Sequence, residues 1–383
     1  MKLTVFGDLV EGGRVCCDLL SNKENGILAD FSEILQSSDF NVFNLEAPIL
    51  RGGFPIKKVG PVLKNSPELI HFLKKNNLNI ASLANNHIMD FGDEGLNSTL
   101  KLLRDAGLLT VGGGEDQNQA EQPLILEKES LKIGVINAAE HEFSLAKGSQ
   151  GGANYGEILN LYYQIKSVKN IVDWVVLIYH GGNEHYPLPS PRLQDYFRFF
   201  VDAGADVVIG HHQHCHSGYE SYGSGLIFYG IGNFIFDKIG RCNDQWNYGF
   251  GVALDFSPQD VKFDLLPYNQ FSKEPKVKSM SSGEKKVFEE RIKHYNAIIN
   301  DRKALEREFE AFCSGRSFSV SSKLEPFDNR LLTALRRRGL APSFLSEKKI
   351  LHLYNYLLCR SHMDVVEAYL EKQLERIKTP KKD

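Results

Sequence analysis

The amino-acid sequence predicts an α/β protein, and three observations carry that expectation. Short apolar runs alternate along the chain with segments of helical periodicity. One run, Trp174 to Tyr179, is continuously apolar, as in a strand buried on both faces of a parallel sheet. The runs also end in glycine followed by polar, ligand-type side chains, and strand ends are where open α/β sheets bind their ligands. The plainest case is Val207-Val208-Ile209-Gly210-His211-His212-Gln213-His214-Cys215-His216, which holds four of the twelve histidines. On extended backbone His212 and His214 face the same side.

Composition sets the class. The 383 residues suffice for one large domain and a smaller one, and 42% apolar with 24% charged content is that of a globular chain. A net charge of −3 gives no electrostatic case for a nucleic-acid partner. The six cysteines are scattered without a C-x-x-C pair, which argues against a disulfide scaffold or a structural zinc site. Met1-Lys2 leads straight into a strand without a signal-peptide pattern, and no apolar run is long enough to span a bilayer. A cytoplasmic location is the expectation.

In order, Leu3–Phe6 is a strand that ends at Gly7-Asp8. Short helical pieces follow at Cys16–Leu20 and Phe31–Leu35. Asn41 to Glu46 is the second strand, stopped by Pro48. Ser66 as cap and Pro67 at the first turn open a helix that ends near Asn76. Ile80–Ala84 is a strand running into Asn85-Asn86-His87. Glu94 to Ala106 is a helix closed by Gly107. Strands are expected at 109–112, 123–126 and 131–137, a helix at 160–169, and then the apolar strand ending at His180. A helix from Gln194 to Ala203 precedes the histidine-bearing strand, and four more strands lie between Gly225 and Leu265. Lys273 to Ser282 is polar and reads as a linker. Beyond it Phe288, Ile292, Tyr295, Ile299, Leu305 and Phe309 recur at helical spacing, with further helices at 331–338, 348–360 and 365–377. The expected division is residues 1–270 for the α/β domain and 283–383 for a helical C-terminal region.

Candidate ligands thus stand at five strand ends: Asp8; Glu46; Asn86 with His87; His180; His212 with His214. Each alone has an ordinary structural explanation as a turn, cap or core residue. Strand ends on one sheet edge converge, however, and a mixture of carboxylate, amide oxygen and imidazole suits a pair of borderline metal ions.

The ordered motifs Gly7-Asp8, Asn44-Leu45-Glu46, Ala84-Asn85-Asn86-His87 with Asp90, His180-Gly181 with Glu184, Gly210-His211-His212-Gln213-His214 and Gly232-Asn233-Phe234 resemble the CapA (poly-γ-glutamate capsule biosynthesis) family of the calcineurin-like metallophosphoesterase superfamily. The resemblance covers roughly residues 1–268. It implies a four-layer α/β/β/α metallophosphoesterase-like sandwich, followed here by the helical C-terminal region. It also implies two divalent ions, manganese, iron or zinc. Asp8 and His214 would hold one; Asn86, His180 and His212 the other; Glu46 would bridge them. His87, with Asp90, would be the catalytic acid, and Asn85, Glu184, His185 and His211 would either support the metal ligands or face an anionic small-molecule or polymer substrate. The activity implied is hydrolysis of a phosphoester by a dimetal-activated hydroxide, in capsule or exopolymer metabolism. Two alternatives keep the fold: capsule or glycan synthesis on a γ-glutamyl or sugar substrate, and a non-catalytic binding module. The first motif departs from the superfamily's Asp-x-His, since Val10 stands at the third position, and Glu46 replaces the bridging aspartate. The first ion is therefore expected to be held less firmly, with His211 a further candidate ligand. The C-terminal helices are expected either to cap the active-site rim or to form the interface of a homo-oligomer.

Overall fold

The computed structural model describes residues 1–15, 26–242, 244–325 and 329–358, with 362–363, 365–366, 369–370 and 373–374 beyond them. The helix expected at Cys16–Leu20 and most of the one at 365–377 lie outside the described residues.

Two sheets form the frame. In the first, the parallel strands β1 (Lys2–Val10), β2 (Phe40–Leu45), β3 (Ile80–Ser82) and β4 (Leu109–Val111) run side by side. The remaining strands among the described residues, in chain order, are β5 (Gly113–Gly114), β6 (Leu124–Lys128), β7 (Leu131–Ala139), β8 (Gly152–Ala153), β9 (Trp174–His180), β10 (Val207–His211), β11 (Tyr219–Tyr222), β12 (Gly225–Phe228), β13 (Asn233–Phe236), β14 (Tyr248–Phe256), β15 (Val261–Gln270) and β16 (Val277–Ser279). The antiparallel strands β14, β15 and β16 extend the first sheet beyond β1, and β13 lies parallel to β1 past the register break at Asp8. The second sheet has the order β11-β12-β10-β9-β7-β6, with β7, β9, β10 and β12 parallel. The small pair β5–β8 stands apart.

The period of two in the strands explains the layering. Leu3, Val5, Val42 and Val252 of the first sheet bury against Ile133, Val135, Val176, Ile178, Val207 and Ile209 of the second, which makes the inter-sheet core. The opposite face of the first sheet, with Phe6, Phe43 and Ala81, is covered by α1 (Ser32–Ser37), α2 (Leu69–Lys75) and α3 (Gly92–Asp105). After the short α4 (Gln117–Ala120), the helices α5 (Ile158–Lys169) and α6 (Pro191–Ala203) cover the second sheet, where Phe197 stacks on Tyr229 and meets Tyr179 edge-on. The layer order is α/β/β/α.

Helix starts were less legible. Ser66 does not cap α2; its hydroxyl donates to Glu11, and the helix begins at Leu69 behind a turn. The cap that does work is Ser190, which accepts from the Leu193 amide with Pro191 at the first turn, so α6 begins earlier than Gln194. The polar stretch expected to be a linker contains β16, paired with β15, and then Ser281 in a capping box with Glu284 opens α7 (Ser282–Ile299). Phe288 and Ile292 of α7 join the inter-sheet core. The chain divides into compact units at 1–309 and 310–383, so α7 and the first turns of α8 (Arg302–Leu324) go with the sheets. In the second unit, α9 (Arg330–Arg337) is capped by Asn329, Glu325 accepts from Ser343 and the Phe344 amide, and α10 (Glu347–Leu358) follows. Among the described residues no helix is long and apolar enough to cross a membrane.

Candidate metal centre

The ligand-type residues come from both sheets, not from one edge of a single sheet. Asp8, Glu46 and Asn86 belong to the first; His180, His212 and His214 belong to the second. They meet because the two sheets pack face to face. Asp8 lies within β1 rather than past its end: β1 continues to Val10, and its register breaks on either side of Asp8 against β2 and β13. Such a break re-aims a side chain. Gly7 makes the close approach possible, since a Cβ there would stand 1.7 Å from the Gly232 carbonyl oxygen. Glu46 stands one residue past β2, its amide bonded to the Leu9 carbonyl at 3.1 Å.

His211 ends β10, and the next residues leave extended geometry. His212 and His214 have φ of 93° and 55°, and His185 on the facing loop has 60°. The alternation expected of an extended strand does not hold here. A left-handed turn presents both rings to the site instead, at a conformational cost that functional loops tolerate when their surroundings over-determine them.

Two clusters result. His180 Nε2 lies 3.1 Å from Asn86 Oδ1, 3.1 Å from His212 Nδ1 and 3.6 Å from Glu46 Oε1. Glu46 Oε1 also lies 3.7 Å from His214 Nε2, and His214 Nδ1 lies 3.3 Å from Asp8 Oδ2. Ligand atoms of Glu46, His180 and His212 lie within 4.8 Å of one another, as do those of Asp8, Glu46 and His214, with Glu46 common to both. All are buried.

Electrostatics point the same way. Neither Glu46 oxygen, nor Asp8 Oδ2, has a hydrogen-bond partner among the described residues. Burial, with Asp8 beside it, pushes the Glu46 carboxyl well above its usual range. For Asp8 burial works in the same direction, but the neighbouring His211 and His214 rings outweigh it and hold the carboxyl well below that range. Burial pushes His180 and His212 down, keeping both rings in the neutral, ligand form. Orphaned carboxylate oxygens facing neutral imidazoles form a hole suited to a cation, so the residues fit a metal pair.

The flanking residues sort themselves by contact. His87 Nδ1 lies 2.7 Å from Asp90 Oδ2, and both are buried. Asn85, expected to support the ligands or face substrate, is fully buried: it donates to Leu45 O and Asn44 Oδ1 and accepts from the His87 amide, shaping the turn. His211, likewise expected at the substrate or as a spare ligand, is buried behind Asp8 with its Nδ1 3.1 Å from Oδ1. Glu184 and His185 are exposed at the mouth, and the His185 ring lies 6.0 Å from that of His214.

Several contributors carried no assigned role in the sequence. Asn44 donates to Asp8 Oδ1 at 2.7 Å and lies 3.2 Å from His180 Nδ1, linking the sheets; its position two residues before Glu46 on one strand was the available signal. Asn233 Oδ1 lies 2.9 Å from His214 Nδ1 and fixes that ring, leaving Nε2 toward Glu46. Glu142 accepts from Asn86 at 3.2 Å. Lys58 reaches His87 and Asp90 from the loop of residues 51–64, where no motif marks it.

A four-layer α/β fold that carries a candidate metal site where its two sheets meet is the class these observations define. The family model described as Bacterial capsule synthesis protein PGA_cap matches residues 2–238, and the chain belongs to that family. It is 28% identical over 247 residues to "Capsule biosynthesis protein CapA" of Bacillus anthracis, covering 62% of this chain and 60% of that protein. It is 28% identical over 243 residues to "PGA biosynthesis protein CapA" of Bacillus subtilis (strain 168), covering 62% and 64%. The chain thus matches less than two thirds of the length of these relatives. Among solved structures it is similar to the calcineurin-like phosphoesterase YfkN from Bacillus subtilis, with a TM-score of 0.41 and 13% identity over 79% of this chain and 99% of that one.

Proposed function

We propose that this protein is a metal-dependent hydrolase of phosphoesters acting in capsule or exopolymer metabolism. One observation carries the reading: Glu46, both oxygens orphaned and buried, stands between two clusters of imidazole and carboxylate ligands. Asp8, Glu46 and His214 would hold one divalent ion, and Glu46, Asn86, His180 and His212 the other; manganese, iron and zinc all suit such donors. Ions bound there supply Lewis-acid polarisation and offset the charge of an anionic phosphoryl centre. The chain's own groups do the rest. Asp90 orients His87 through Nδ1, which leaves the other ring nitrogen to exchange a proton with the departing alcohol. Glu184 and His185 at the mouth meet the substrate.

The test is metal analysis of the purified protein, followed by a panel of phosphomonoesters and phosphodiesters with added manganese. Turnover that disappears in Asp8→Ala and His180→Ala is the expected result. A protein without transition metal and without manganese-dependent turnover sinks the reading. The capsule-synthesis names of the family and relatives favour a second reading, action on a γ-glutamyl or glycan substrate. Cleavage of polyglutamate or a glycan precursor, with none of any phosphoester, is its sign.

A further inference from the structure

We propose that Lys58 is a positioning residue: it latches the loop of residues 51–64 onto Asp90 and thereby fixes His87 for the reaction. The inference rests on the hydrolase reading above.

The loop is pinned at its base, where the Leu50 amide donates to Asn65 O at 3.1 Å and the Asn65 amide to Pro48 O at 2.8 Å. Between these points it is largely solvated; Phe54 is 89% exposed and Val59 80%. The Lys58 side chain is the exception, only 2% exposed, and its partner Asp90 is fully buried. Burying an ammonium is unfavourable unless it is paired and hydrogen-bonded. Lys58 Nζ meets Asp90 Oδ1, lies 3.1 Å from His87 Nδ1 and donates to Asn86 O at 3.4 Å. Two backbone bonds reinforce it: the Leu63 amide donates to Asp90 Oδ2 at 2.7 Å and the Ile56 amide to Asp90 O at 2.9 Å.

Asp90 therefore receives the loop at three points while its Oδ2 also engages His87. The carboxylate that orients the ring is the one that closes the loop. If the latch opens, the base pins keep the loop attached, but Asp90 loses its cation and the Leu63 donor, and His87 loses the frame that sets its angle. A misplacement of about 1 Å at a reacting group costs up to roughly a hundredfold in rate. Lys58 touches no ligand side-chain atom of the metal clusters in this geometry; its contact with Asn86 is to the backbone carbonyl. Loss of the latch should therefore spare metal binding.

The experiment compares wild type with Lys58→Met, which keeps the stem and removes the charge and donors, and Lys58→Arg, which keeps both. Leu63→Pro deletes a single latch bond and serves if Lys58→Met fails to fold. The readouts are manganese content, kcat and KM on bis(4-nitrophenyl) phosphate or another ester that wild type turns over, and tryptic cleavage at Arg51, Lys57 or Lys64. In Lys58→Met we expect unchanged manganese, kcat lower by about ten- to a hundredfold with little change in KM, and faster cleavage in the loop. Lys58→Arg should recover most of both. Unchanged kcat and cleavage in Lys58→Met overturns the inference, as does a loss of manganese that accounts for the lost turnover. Wild type without turnover on any ester sinks the hydrolase reading itself, and the inference with it.

Discussion

Glu46→Gln should act in opposite directions on the metal-free and metal-loaded protein. Without metal, Glu46 is a buried carboxyl whose two oxygens find no hydrogen-bond donor, beside the orphaned Oδ2 of Asp8. Each unsatisfied buried group costs about 1–3 kcal/mol. The glutamine is the same size, carries no charge, and offers an N–H that can reach Asp8. Metal-free Glu46→Gln is therefore expected to be more stable than wild type by about 1–3 kcal/mol at neutral pH. The pH dependence follows from the raised pKa. A group whose folded pKa lies above its ordinary value of 4.5 weakens the folded state as pH rises, because the unfolded chain then ionises more readily. The advantage of the glutamine should accordingly be largest near neutrality and fade toward pH 4.5. With manganese the order reverses, since the shared ligand to both ions is gone. At a hundred times its Kd a bound ion stabilises the wild type by about 2.7 kcal/mol, a gain the variant forgoes. Urea unfolding in EDTA and in manganese measures all of this. A variant no more stable than wild type in EDTA, or still stabilised by manganese, refutes the proposed role of Glu46 as a cation ligand.

Val10 occupies the same strand two residues after Asp8 and is buried, so Val10→His should complete the weaker ligand set. After dialysis wild type is expected to retain about one ion per chain and the variant about two, read by elemental analysis. His87→Ala should leave metal content unchanged and lower kcat by about 10²–10⁴; a loss confined to KM would remove His87 from the chemistry. His216, buried against Phe250 and Phe288, is pushed down to about 4 by burial, with Arg291 adding to it, from an ordinary 6.5. Its neutral burial is harmless above 6.5 and costs progressively more stability as pH falls toward 4, roughly 3 kcal/mol in all. His216→Phe should flatten that part of the stability–pH curve; an unchanged slope in EDTA would place the acid sensitivity elsewhere.

Much of the fold could be read from the chain. Strands at Trp174–Tyr179 and Val207–Ile209 declared themselves because a strand buried on both faces must be apolar throughout, whichever neighbour it pairs with. The glycine-bounded histidine and carboxylate clusters were legible for a related reason. Backbone that must leave a strand abruptly needs glycine, and polar side chains that follow an apolar run rarely lack a purpose. Helix starts were harder: Ser66 and Ser190 both precede a proline, yet only Ser190 caps, because Ser66 is claimed by Glu11 from another part of the chain.

The sequence by itself determined the α/β class, the order of the main strands and helices and the residue types able to hold metal, since each follows from local periodicity or from side-chain chemistry. Only the tertiary structure decided that the candidate ligands come from two sheets, that Asn85 donates to the Leu45 carbonyl while His211 packs against Asp8, and that Lys58 reaches Asp90. Those facts depend on which surfaces meet across the core and which donor reaches an acceptor first. Distances of that kind arise from packing between segments far apart in the chain, and no local pattern encodes them.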